Sequence, residues 1–216
     1  MSNDDLALWV TQELYWGPAV DAAAIAVAAD DGDVTLRGTV GSFRERREAE
    51  EAAKRVYGVR SVKNELQVRV LTEHRREDAD LRGAVLQALS LDSLVPATVD
   101  ANVSGGLVTL TGTAEWYFER DEAEFIAGNV LGVLGVDDEI KLETQKPSAA
   151  GVKDGIEKAL QRNAQLDADG LTVETFDGTV ALSGTVRSWF EHDAAVAAAW
   201  AAPGVTSVDD RILVDY

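Results

Sequence analysis

Gly32–Ala49 reads GDVTLRGTVGSFRERREA, and the same pattern returns from Gly106 as GLVTLTGTAEWYFERDEA and from Gly178 as GTVALSGTVRSWFEHDAA. The register continues without a gap into three closing segments, GVRSVKNELQV from Gly58, GVLGVDDEIKL from Gly132 and GVTSVDDRILV from Gly204. Self-similarity over so long a period marks a tandem array of one supersecondary unit. Units of roughly 70 residues are longer than most solenoid repeats and long enough to enclose a small core. The reading divides the chain at 1–72, 73–146 and 147–216, with connections at Glu73–Asp78 and Gln145–Gly151 too short to make the units independent.

Inside each unit the hydrophobic period changes in a fixed order. Leu6, Val10 and Leu14, like Leu81, Val85, Leu89 and Val152, Ile156, Leu160, lie four apart and form one stripe of a helix. Strict alternation follows at Ile25, Val27 and Ala29, then again at Val34, Leu36, Gly38 and Val40. Between these runs stand Asp31-Gly32, Gly105-Gly106 and Asp177-Gly178, which read as two-residue hairpin turns because glycine adopts positive φ without a Cβ clash. A second helix opens with Ser42-x-x-Glu45 and Ser188-x-x-Glu191, the capping-box spacing in which hydroxyl and carboxylate satisfy backbone donors reciprocally; Trp116 interrupts it in the middle copy. Its inward face is made of small residues, Ala49, Ala52 and Ala53 in the first copy. A last alternating run through Val62, Leu66 and Val68 closes the unit. The expected fold is α+β, α-β-β-α-β three times, each unit a three-stranded mixed sheet with two helices on one face.

Composition restricts function. There are 38 acidic and 20 basic residues, a net charge of −18, distributed as −3, −9 and −6 over the three units. A chain so acidic is a poor ligand for a phosphate backbone, whose affinity comes from Lys and Arg displacing counterions. No apolar run is long enough to cross a bilayer, and Met1–Asp5 lacks the basic, apolar start of a secretory signal, so the expectation is a cytoplasmic protein. Without cysteine there is no thiolate nucleophile or thiolate metal site. His74 and His192 have no nucleophile at motif spacing, and the acidic stretches at Asp30–Asp33, Asp137–Glu139 and Asp209-Asp210 lack calcium-loop spacing. No phosphate loop is present either. The expectation is therefore no catalytic residues, no metal and no cofactor.

The GxVTLxGTV strand, the Ser-led alanine-rich helix and the GVxxVxNxL closing strand resemble the BON domain, named for bacterial osmotically inducible and nodulation proteins. Gly32–Val40 and Gly58–Leu66 match most fully, and the resemblance extends over nearly the whole chain as three domains. It is similar to triple-BON bacterial proteins that lack a signal sequence. The resemblance implies the α-β-β-α-β fold, an association with osmotic and envelope stress, binding at phospholipid surfaces and no catalysis.

The candidate contact residues lie at the start of each second helix. Phe43, Tyr117 and Trp189 share one repeat position, and an aromatic kept in all three copies reads first as packing. Trp116, Phe118 and Phe190 have no aromatic counterpart in the first copy, where Ser42 and Arg44 stand. They fit a phospholipid surface or a protein partner, and equally an apolar joint between repeats or a homo-oligomer. Arg44 and Arg47 would assist electrostatically at an anionic surface, although Glu45, Glu48, Glu50 and Glu51 interleave with them and favour a solvated helix face.

Overall fold

A computed structural model describes residues 2–70, 76–143, 149–163 and 170–216. His74 and parts of both connecting segments lie outside the described residues.

The first copy runs α1 (Asn3–Trp16), β1 (Ile25–Asp30), β2 (Asp33–Val40), α2 (Phe43–Lys54) and β3 (Ser61–Val68). The second runs α3 (Asp78–Leu91), β4 (Asp100–Ser104), β5 (Leu107–Thr111), β6 (Thr113–Ala114), α4 (Tyr117–Gly128), β7 (Gly135–Asp138) and β8 (Lys141–Leu142). The third runs α5 (Ala149–Arg162), β9 (Leu171–Phe176), β10 (Thr179–Val186), α6 (Trp189–Trp200) and β11 (Ser207–Val214).

Each three-stranded sheet is mixed as expected. The hairpin strand pairs antiparallel with the central strand, Val27 opposite Leu36, and the closing strand pairs parallel on its other side, Val34 opposite Val62 and Val180 opposite Val208. The parallel pairing follows from the helix between these strands, which returns the chain to the same end of the sheet. In the middle copy the sheet is β4-β5-β7 with a separate pair β6-β8. Backbone bonds from Glu139 to Leu110 (2.9 Å) and from Lys141 to Gly112 (3.0 Å) nevertheless carry the ladder across the interruption.

The helix stripes are buried as the periodicity requires. Val10, Leu14, Val34, Leu36, Ala49, Ala53 and Val59 of the first copy are wholly inaccessible, and Ile156, Leu182, Ala195 and Ala199 are so in the third. Asp31 and Gly32 have φ of 46° and 90°, and Asp177 and Gly178 have 43° and 82°, the pair of positive angles that a type I′ hairpin demands. The first helix helps to hold the turn. Asn3 accepts from the Asp31 amide at 3.0 Å, and the equivalent Asp78 accepts from Gly105 and Gly106 at 2.7 and 3.0 Å.

The caps depart in part from expectation. Ser42 and Ser188 accept from the amides of Glu45 and Glu191, at 3.1 and 3.2 Å. The carboxylates, however, reach one residue further back, Glu45 to the Gly41 amide at 2.7 Å and Glu191 to the Arg187 amide at 2.8 Å. Extended backbone at both serines, with φ of −151° and −160°, presents the preceding N–H to the carboxylate instead of the serine's own.

Two compact units emerge, and they do not follow the repeats. One comprises Met1–Thr113 with Glu119–Lys141, and the other Ala114–Phe118 with Leu142–Tyr216.

Candidate functional site

The helix-start aromatics separate into two groups. Phe43 is buried at 9% exposure, and its ring lies against Gly128, where a Cβ would come within 2.8 Å of Phe43 Cδ1. In the other unit, Tyr117 stacks on Trp200 with ring centroids 4.0 Å apart and planes 12° from parallel. Gly128 and Trp200 occupy one repeat position, as do Phe43 and Tyr117, so the two contacts are equivalent in register. A glycine receives the ring in one case and an indole face receives it in the other. Trp189, at the same repeat position, is half-buried on the core of the third copy and sits edge-on to His192 at 4.7 Å.

The residues that follow them point outward. Phe118 is 53% and Phe190 58% exposed, at the position Arg44 holds in the first copy. Trp116 is half-buried. Phe118 and Phe190 thus leave more than half of their surface in water, unlike the buried Phe43 and the stacked Tyr117.

The two arginines differ: Arg44 is exposed beside Glu48, whereas Arg47 is held on a ring. Arg44 lies 3.9 Å from Glu48, and the Arg47 guanidinium sits 4.9 Å above the centroid of the Phe125 ring, a cation–π contact joining α2 to α4. Around it Arg47, Glu51, Asp121, Glu122, Glu124 and Phe125 line an open cleft of about 380 Å³. Burial, reinforced by the charges of Asp138 and Asp121, raises the Glu124 pKa against the opposing pull of Arg47 and Arg120. With Arg47 held and carboxylates on the other walls, the cleft offers nothing to an anionic headgroup.

Register comparison exposes a clasp that motif reading overlooks. Positions 46, 120 and 192 of the second helices face positions 64, 138 and 210 of the closing strands. Asn64 donates to the Arg46 carbonyl at 2.9 Å; Arg120 donates to the Asp138 carboxylate and, at 3.2 Å, to its backbone carbonyl; His192 Nε2 lies 2.7 Å from Asp210. In all three copies the strand residue also accepts from the amide two residues on, Leu66, Ile140 or Ile212. Asp138 and Asp210 thus secure helix to strand, a role beyond the solubility that an acidic pair on a strand suggests.

Only the third clasp is built on a histidine. His192 Nδ1 lies 2.9 Å from Asp193 while Nε2 meets Asp210, and because both nitrogens face carboxylates only the imidazolium can donate to both. Burial alone would lower its pKa, but these hydrogen bonds and the two negative charges outweigh it and raise the value. A group raised above its unfolded value of about 6.5 contributes fully below that pH and loses its contribution as pH rises through the folded pKa. The unfolding midpoint of the wild-type chain is therefore expected to fall from pH 6 to pH 8 by more than that of His192→Gln. Parallel curves for the two proteins would show that the clasp does not couple to folding.

Among the described residues no group of three or more His, Cys, Asp or Glu is placed to hold a metal ion, and no helix is long and apolar enough to cross a membrane.

The chain is 34% identical over 127 residues to osmotically-inducible protein Y of Escherichia coli (strain K12), a match covering 56% of this chain and 63% of that protein. The aligned part is thus less than two thirds of that relative. Two solved structures of CdsD, a structural protein of the type III secretion system of Chlamydia trachomatis, align over 98% and 100% of this chain and 92% and 100% of theirs. They are 13% and 12% identical, with a TM-score of 0.28 in both cases, too low to carry an argument. The BON domain model matches at 2–70, 77–144 and 148–216. With nearly its whole length accounted for in three consecutive matches, the chain belongs to the BON domain family.

Proposed function

We propose that this BON-repeat chain is a non-enzymatic, osmotic-stress-related binding protein that settles on a phospholipid surface through Phe118 and Phe190. The observation that supports it is the exposure of these two rings beside aromatics of the same helix turns that are spent on packing. Exposed aromatics at a helix start suit the headgroup region, where an apolar ring gains burial. Electrostatics contribute little, because Arg47 is held on Phe125 and the chain carries −18. A cytoplasmic location belongs to the same proposal and is checked by cell fractionation.

Co-sedimentation of the wild-type chain with zwitterionic and with anionic vesicles tests the reading. Binding to zwitterionic vesicles, little changed between low and physiological salt, is the expected result. Failure to sediment with either composition contradicts the lipid role. Salt-sensitive binding to anionic vesicles alone would contradict the assignment to the two phenylalanines.

A scaffold reading has its own support in the Phe43–Gly128 and Tyr117–Trp200 contacts, which use aromatics to join parts of the chain. It gains ground over the lipid role if the chain fails to bind vesicles and stays monomeric at every concentration, whereas a mass that rises with concentration would point to self-assembly instead.

A further inference from the structure

The outward face of α1 carries an apolar surface that neither the core nor the second-helix site accounts for. Leu8, Trp9, Tyr15 and Trp16 are 53%, 46%, 65% and 85% exposed. At 100° per residue they fall within about 120° of arc, with exposed Asp5 and Gln12 between them, opposite the buried stripe of Leu6, Val10 and Leu14. The other two copies act as internal controls. The same positions hold Gly83, Ala84, Ser90 and Leu91 in α3, and Asp154, Gly155, Gln161 and Arg162 in α5. The fold therefore does not require three aromatics on this face; only the first copy displays them.

Charge and size indicate what the face accepts. No Lys or Arg occurs in α1, and its first turn carries Asp4 and Asp5. Arg55, reaching α1 from the end of α2, is already held on Glu13 at 3.2 Å. Taking ~200 Å² for a large side chain, the four residues expose about 500 Å², short of the roughly 800 Å² per partner of a stable standard-size interface. Two like-charged copies would in addition repel. A short segment bearing both apolar and cationic side chains suits the surface better: its apolar side seats against the rings, and its cations meet the helix-start carboxylates and the indole faces.

We propose that the outer face of α1 is a docking surface for a basic amphipathic segment of a protein partner. The site is on a different helix from Phe118 and Phe190 and stands whether or not they contact lipid. Calorimetric titration of the full chain with a synthetic Leu/Lys amphipathic helical peptide, beside its Leu/Glu counterpart, tests it. The Leu/Lys peptide is expected to bind and the Leu/Glu peptide to fail. Trp16→Ser combined with Tyr15→Ser is expected to weaken binding at least ~10-fold, as loss of central aromatics does, with the unfolding midpoint unchanged. Asp4→Lys should weaken it as well. Equal binding of both peptides, no binding of either, or an undiminished affinity in the Trp16/Tyr15 variant overturns the proposal. So does a variant that loses vesicle binding while keeping the peptide, since the face would then belong to a bilayer.

Discussion

Replacing Gly38 with alanine is expected to unfold the first copy. Gly38 lies in β2 at φ +140°, and a Cβ there would stand 1.9 Å from the Ala24 carbonyl oxygen. Gly112 and Gly184, its equivalents, meet Thr98 O at 2.2 Å and Gly170 O at 2.0 Å. The glycine of the GxVTLxGTV strand is thus the place where the central strand passes over the backbone that enters its hairpin. Side-chain contacts cannot absorb the clash, because the obstructing atom is backbone. Strain at this φ and displacement of a carbonyl together are expected to cost roughly 3 kcal/mol or more, a large share of the stability of so small a core. Gly83→Ala is the control: it lies inside α3 with nothing within 4 Å of the added methyl, and is expected to leave the midpoint unchanged or raise it slightly. Urea denaturation of the two variants checks the pair. A Gly38→Ala protein as stable as wild type would mean that the strand does not approach Ala24 as described.

Phe43→Ala carries the second large effect. The ring is almost fully covered and fills the space over Gly128 between α2 and α4, so truncation leaves a cavity that the backbone of α4 cannot close. A loss of about 3 kcal/mol is expected, in the ordinary range for a buried phenylalanine. Arg47 on Phe125 lies in the same interhelical contact and should lose its geometry with it. Unfolding by urea is again the measurement, and a change of only a few tenths of a kcal/mol would show the contact to be incidental.

The fold was legible in the sequence because its signals are local. Leu6-Val10-Leu14 shows a helix period, Asp31-Gly32 and Asp177-Gly178 specify turns needing positive φ, and three aligned copies correct for noise in any one of them. The site was legible only in part, because it depends on where distant residues meet. Phe43 on Gly128 and Arg47 on Phe125 join helices more than 70 positions apart, and no period within either helix reports which side will be covered. The paths of Glu45 and Glu191 escape a spacing rule for a smaller reason of the same kind: the extended backbone at the cap decides which amide a carboxylate reaches. Trp9, Tyr15 and Trp16 were plain as letters, yet a stripe search on α1 selects the face it buries. Comparing the outer positions of the three first helices would have singled them out, just as comparing 46, 120 and 192 would have revealed the clasp.

Phe43 and Tyr117 are spent on packing, whereas Phe118 and Phe190 are the residues proposed for surface contact. Vesicle co-sedimentation and the urea midpoint of Phe118→Ser/Phe190→Ser, measured beside Phe43→Ala, test this division most directly. The double variant is expected to lose most of its vesicle binding and keep the wild-type midpoint, while Phe43→Ala loses stability. A double variant that binds as wild type does, or that unfolds as readily as Phe43→Ala, would contradict it.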